Sequence, residues 1–279
     1  MFSFITAPPP RRLTACLALT LTLAGCSLVR GTDAAARLAA WLPADVLLLG
    51  EQHDAGAHQA VQQQVVAALA ARGQLAALAL EMADSGQSTA GLAANASEEQ
   101  TRSRLRWNND AWPWAAYGPA VMSAVRAGVP VMGANLPRSD MHASMADSQL
   151  DQRLPGPSLK AQQQLIRQGH CNLLPESQIT PMTRIQIARD RRMADTLAKA
   201  LQPGKVVVLI SGSVHADKQL GVPQHLPAGL QVQSVRLLAD GQTLPGESFD
   251  SVWATEAVSD KDYCAGLREQ FGKPGAAKP

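Results

Sequence analysis

Aromatic side chains are scarce: Phe, Trp and Tyr make up 4% of the 279 residues, and only two are tyrosines, Tyr117 and Tyr263. Any chemistry that needs a phenol oxygen therefore has two candidates. A surplus of one charge is missing as well. There are 25 Lys and Arg against 23 Asp and Glu, and setting aside Arg11 and Arg12 of the amino-terminal segment leaves 23 against 23. A neutral chain has no basic stripe for phosphates, which excludes nucleic acid as a partner. Several catalytic signatures are absent: G-x-G-x-x-G, G-x-x-x-x-G-K, H-E-x-x-H and G-x-S-x-G. Ser211 and Ser213 flank Gly212 without the spacing of a nucleophile elbow. No run reaches 18 uncharged apolar residues, the length that reads as a membrane-spanning helix.

What is present begins with an export pattern. Arg11 and Arg12 precede an apolar run from Leu13 to Gly25 that falls short of the roughly 20 residues a bilayer core requires. Residues 1–25 are expected to be a cleaved signal peptide. The run ends Leu23-Ala24-Gly25-Cys26, which resembles the lipobox of bacterial lipoproteins and implies acylation of Cys26. Acyl chains contribute about 0.8 kcal/mol per buried methylene, enough to anchor a protein without a helix. Ser27 behind that cysteine resembles lipoproteins sorted to the outer membrane, so the expected location is lipid-anchored and periplasm-facing. A tether over 26–44 and one large domain over 45–279 would follow. Cys16 falls in the leader, which leaves Cys171 and Cys264 as a pair in an oxidising compartment. A disulfide is the simpler expectation, with two free buried thiols as the alternative.

The domain alternates short apolar runs with helical patterns. Strands are predicted over 45–50, 75–81, 129–134 and 205–211, with weaker ones near 232–238 and 251–255. The alanines of 75–81 leave its period ambiguous. Helices are predicted over 57–71, from Ser97, over 111–127 and over 180–201, and the Pro- and Gln-containing stretch 138–178 reads as helices and loops inserted between sheet elements. The glutamines at 62–64 and 162–164 read as polar helix faces. This pattern predicts an α/β fold, a mainly parallel central sheet with helices on both faces and an inserted helical region.

Ligands of such sheets sit beyond the carboxyl ends of the strands. Those ends carry Glu51-Gln52-His53-Asp54, Glu81-Met82-Ala83-Asp84, Gly133-Ala134-Asn135 and Gly212-Ser213-Val214-His215. Glu51, His53, Glu81 and His215 supply two carboxylates and two imidazoles. That set suits a divalent metal, acid/base hydrolysis, or plain hydrogen bonding between strand-exit loops.

The strings LLLGEQHD, GHCNLLP, RDRRMADTL and VVVLISGSVHADKQLGVPQHL, in that order, resemble the ChaN family of haem-associated bacterial lipoproteins within the Tiki and erythromycin-esterase-like superfamily. One departure is SGSVH, where the family more usually has glycine or asparagine next to the histidine. The resemblance implies haem or an iron complex as ligand, a role in uptake, and members that hydrolyse with or without metal. It leaves open a homodimer and delivery by an outer-membrane haem receptor. Absence of C-x-x-C-H excludes covalent c-type haem. A tyrosine oxygen can hold ferric haem. Tyr117, following Trp112-Pro113-Trp114 on a helix, is the expected ligand, with Tyr263 as the other phenol. Met141, Met145, Met182, His142 and His170 are further candidate ligands, and Arg138 and Lys218 are candidate partners for the propionates. The haem site is expected to be separate from the Glu51, His53, Glu81 and His215 crevice.

Overall fold

The structure is a computed structural model that describes residues 34–239, 248–258 and 261–272. The signal peptide expected over 1–25, Cys26 and the first part of the tether lie outside the described residues.

Six strands form one sheet: β1 (Val46–Glu51), β2 (Leu75–Asp84), β3 (Val131–Asn135), β4 (Val206–Gly212), β5 (Val232–Ala239) and β6 (Ser251–Thr255). Their order is β3-β2-β4-β1-β5-β6, and every neighbouring pair is parallel. β1 and β4 read as unbroken apolar runs because they lie in the middle, covered on both faces. β2 resolves its own ambiguity. Leu78 and Leu80 face the helices α1 (Ala34–Trp41), α2 (Gly56–Ala71) and α4 (Trp114–Arg126), whereas Ala77 and Ala79 face α7 (Glu176–Ala200).

The same alternation divides the core in two. Leu47, Leu49, Val208 and Ile210 pack under Val65, Leu69, Val121 and Val125 of α2 and α4. Val46, Leu48, Val207 and Leu209 pack under Met193, Ala194 and Leu197 of α7. Each such side chain contributes roughly 1.5–3 kcal/mol when taken out of water. Between β2 and β3 lies α3 (Glu98–Arg104), whose start at Ser97 is a capping box with Gln100. The inserted region between β3 and β4 is α5 (Arg138–Ala146), a 3₁₀ turn and α6 (Gly156–Gly169), leading into α7.

The connections locate the functional edge. From β1 the chain moves one way along the sheet over the α2 and α4 face. From β3 and β4 it moves the other way over the α7 face, as right-handed crossovers require. The direction switches between the adjacent strands β1 and β4, and their carboxyl ends open the crevice where ligands of such sheets bind.

One expectation is modified and one is met. Ala34–Trp41 is a helix with Leu38 and Trp41 buried, and Trp41 packs 5.7 Å from the ring of Trp253 on β6. The folded domain therefore starts by Ala34, inside the segment read as tether, because that segment carries the apolar residues covering the β5 and β6 end of the sheet. Cys171 and Cys264 are joined, with Cα atoms 5.8 Å apart. Closing a loop of that length stabilises by about 4–5 kcal/mol in the loop-entropy account. No helix among the described residues is long and apolar enough to cross a membrane.

Candidate active and ligand-binding site

Glu51 ends β1 and points its buried carboxylate into a complete set of donors. Oε1 accepts from the Tyr117 hydroxyl at 2.6 Å and lies 2.8 Å from His53 Nδ1. Oε2 accepts from Gln59 Nε2 at 3.1 Å and Gln62 Nε2 at 2.6 Å. The two glutamines stand one turn apart on the inward face of α2. The reading of 62–64 as a polar face is thus corrected for Gln62, which is buried, while Gln63 and Gln64 are exposed. Buried His58 accepts the Gln52 backbone N–H on Nδ1 at 3.0 Å, and burial lowers its pKa, so it stays neutral and fixes the β1 exit.

A second chain of charges runs beneath. Glu81 at the end of β2 accepts the Gly212 backbone N–H on Oε2 at 2.7 Å, and His215 Nε2 lies 3.4 Å from its Oε1. His215 Nδ1 lies 2.5 Å from Asp190 Oδ1 of α7. Burial opposes charge on His215, but the carboxylates of Glu81 and Asp190 outweigh it and push its pKa up to about 10. Burial also opposes charge on Glu81, yet His215 and His53 hold its carboxyl well below the usual range. For Asp190 burial prevails, and its pKa rises to about 6. His215 can reach this position because Gly50 leaves room for its turn: a Cβ at Gly50 would lie 2.9 Å from Ser213 Cα. Ser213-Val214-His215-Ala216 forms a single helical turn, α8 (Ser213–Ala216), directly after Gly212 ends β4.

His53 links the two groups. Its Nε2 lies 3.8 Å from Glu81 Oε2, and burial pulls its pKa down less than Glu51 and Glu81 raise it. The four sequence-predicted residues are therefore brought together, as one balanced network. Only His53 reaches the surface, with 40% of its side chain exposed.

Above His53 is an open cleft of about 680 Å³, within the range of small-molecule sites. One wall is aromatic, where Trp112 meets His53 edge-on at 4.9 Å and Tyr117 at 6.0 Å. Pro113 and Ala116 also line the cleft, as do Gln52, Asp54 and Tyr263.

The structure corrects several expectations. Tyr117 does not belong to a separate site, because α4 packs on α2 and carries its hydroxyl onto Glu51. It is 2% exposed, and burial and the Glu51 charge drive its pKa upward, against ionisation. Tyr263 is the accessible phenol, 54% exposed on the cleft rim. Arg138 starts α5 on the α7 face and Lys218 is spent on Asp250, so neither lines the cleft. Met141, Met145, Met182, His142 and His170 do not line it either, and His170 Nδ1 is taken by the Ile166 carbonyl oxygen. The metal reading of Glu51, His53, Glu81 and His215 is corrected too. Their oxygens and nitrogens are used on Tyr117, Gln59, Gln62, Gly212, Asp190 and each other, and no group of three or more His, Cys, Asp or Glu among the described residues is arranged for a metal ion.

Sequence reading missed Asp190, although its signal was present. Thr183, Ile187, Asp190, Ala194 and Leu197 form one buried stripe of α7 at helical spacing, and a lone carboxylate within it demands a buried partner.

Comparisons with known proteins agree with this architecture. The solved structure described as cofacial haem binding to ChaN of Campylobacter jejuni is 25% identical, with a TM-score of 0.64, covering 78% of this chain and 89% of that one. The structure of the type III effector HopBA1 shares the fold at 19% identity and a TM-score of 0.50, covering 82% of this chain and 95% of that one. A search of curated proteins returns no match. The profile described as haem-binding uptake, Tiki superfamily, ChaN matches residues 37–226, from α1 through the turn after His215. The chain belongs to that haem-binding uptake family of ChaN proteins in the Tiki superfamily.

Proposed function

We propose that this chain binds haem in the cleft above His53 and serves haem or iron uptake as a lipid-anchored protein on the periplasmic side of an outer membrane. The observation that carries the reading is the cleft itself, which offers an aromatic wall at Trp112 and two accessible donors, the Tyr263 hydroxyl and His53. A phenol oxygen can ligate haem iron, and a histidine held charged beside Glu51 and Glu81 can donate to a propionate. The Tyr263 hydroxyl donates to Asp54 Oδ2 at 2.9 Å. Burial works against charge on Asp54, but hydrogen bonds from Gln52 and Tyr263 lower its pKa, so it is ionised at neutral pH and orients the Tyr263 hydroxyl as its acceptor, while the phenol proton would leave to solvent on iron binding. Trp112 would offer a porphyrin an apolar aromatic surface in the cleft. The pairing of His53 with Glu51 and Glu81 favours its charged form, which suits a donor to a propionate better than a general base for hydrolysis.

A haem titration followed by absorbance tests the reading. Tyr263→Phe is expected to weaken ferric haem at least tenfold, about 1.4 kcal/mol, and to change the spectrum. Tyr117→Phe should leave affinity within a few-fold and instead lower stability by about 1–3 kcal/mol, because Glu51 loses a buried donor. Loss of binding in Tyr117→Phe with unchanged binding in Tyr263→Phe would return the iron to Tyr117.

Anchoring rests on the Leu23-Ala24-Gly25-Cys26 string. Cys26→Ser is expected to move the exported protein from the membrane pellet to the soluble fraction. Sedimentation with membranes after a high-salt wash would refute the lipid anchor.

A further inference from the structure

The proposed haem cleft is completed by a segment that the core does not secure. β6 ends at Thr255, two strands away from β1, yet Tyr263 arrives beside the β1 exit. There its oxygen contacts Asp54 Oδ2 and Gln52 Nε2, each at 2.9 Å, and Lys261 Nζ lies 3.8 Å from the same carboxylate. These bonds are exposed, so water and salt weaken them. No residue from Lys261 to Arg268 belongs to any of the hydrophobic clusters among the described residues.

The adjacent residue supplies what the packing does not. Cys264 is bonded to Cys171, in the tight turn between α6 and α7. Cys171 and Asn172 have φ of 58° and 57°, and their N–H groups donate to Gln168 O and Arg167 O, so the turn is fixed on the end of α6. The disulfide thus passes the position of a rigid helical turn to the neighbour of Tyr263.

We propose that the Cys171–Cys264 disulfide is a positioning device for Tyr263, and that its reduction releases the tyrosine from the cleft and weakens haem binding. This rests on the haem reading above. A dithiol reductant attacks one sulfur, and its second thiol resolves the mixed disulfide. Two electrons and two protons end on Cys171 and Cys264, and the reductant leaves as its own disulfide. Haem retention then follows the thiol redox state of the compartment, without any change in the buried network below.

The test titrates haem into the oxidised chain, the chain reduced by a dithiol that is then removed, Tyr263→Phe, Cys171→Ser/Cys264→Ser, and the triple variant. Reduction and the paired serine substitutions should each weaken binding at least tenfold and shift the ferric spectrum towards that of Tyr263→Phe. Adding Tyr263→Phe to the serine pair should change affinity less than threefold, since the two losses share one cause. Additive losses, or a tyrosine-ligated spectrum retained after reduction, would show a purely structural disulfide and overturn the proposal. Hydrogen exchange on the wild-type chain covers a serine variant that fails to fold. Amides of residues 261–268 should exchange faster on reduction while β1 and β4 do not change, and unchanged exchange in 261–268 refutes the release. If the oxidised chain binds no haem, the haem reading falls and the affinity claim with it. Equal binding by oxidised and reduced chain overturns this inference alone.

Discussion

Replacing His215 by alanine is expected to lower the unfolding free energy by about 3–5 kcal/mol near neutral pH, the cost of stranding buried charge partners. Glu81 and Asp190 both lose their shared cation, and Asp190 Oδ2 already has no hydrogen-bond partner among the described residues. The pH dependence gives the prediction its signature. His215 has its pKa raised from 6.5 to about 10, so its contribution is fully present below pH 6.5 and is lost as pH climbs through about 10. Glu81 is depressed from 4.5, so its contribution is present above pH 4.5 and is lost as the solution is acidified. In the variant the two carboxylates lie buried without that cation and their folded pKa values rise. Below pH 6.5, where the His215 contribution of the parent chain is already complete, the variant's stability should still increase as pH falls to 5, and by more than Asp190, raised to about 6, gives the parent. Chemical denaturation across pH 5–11 measures this. A deficit below 1 kcal/mol with no pH dependence would mean that the charges are solvated and the network is not a unit.

The fold and this network were legible to different degrees, for physical reasons. β1 and β4 announced themselves because burial on both faces leaves a continuous apolar run. The strand-exit rule then singled out Glu51, His53, Glu81 and His215, since a parallel sheet gathers its carboxyl ends along one edge. β2 was ambiguous because its small alanines sit under α7, where a larger residue would hold the helix away. Tyr117 was set apart from the Glu51 crevice because an aromatic stretch on α4 says nothing about which helix it meets. Only the packing of α4 on α2 puts the phenol against Glu51. Gln59 and Gln62 carried a weak signal, three residues apart and in phase with buried Val65 and Val66, but glutamine usually marks an exposed face. Tyr263 was the least legible. The pairing of Cys171 with Cys264 across 93 residues was expected, but no local pattern says that it brings the neighbouring tyrosine beside the β1 exit.

The turn that presents His215 has almost no free space, and this leads to a second large effect. A Cβ at Gly221 would stand 2.2 Å from the His215 carbonyl oxygen and 2.6 Å from that of Val214. Backbone atoms cannot rotate away as a side-chain tip can, and Val222, the next residue, is buried in the core beneath α7. Either that contact opens or the His215 turn moves off Glu81 and Asp190. Gly221→Ala is therefore expected to cost about 3 kcal/mol, the upper end of overpacking. Gly56→Ala adds the same methyl group at the first residue of α2, where nothing lies within 4 Å, and should change stability by less than about 0.5 kcal/mol. Combining Gly221→Ala with His215→Ala discriminates further. If the methyl acts by displacing His215, the double variant loses less than the sum of the single losses, because the same buried pairs can be broken only once. Losses that simply add would place the strain of Gly221→Ala in the Val222 packing and leave the histidine where it is.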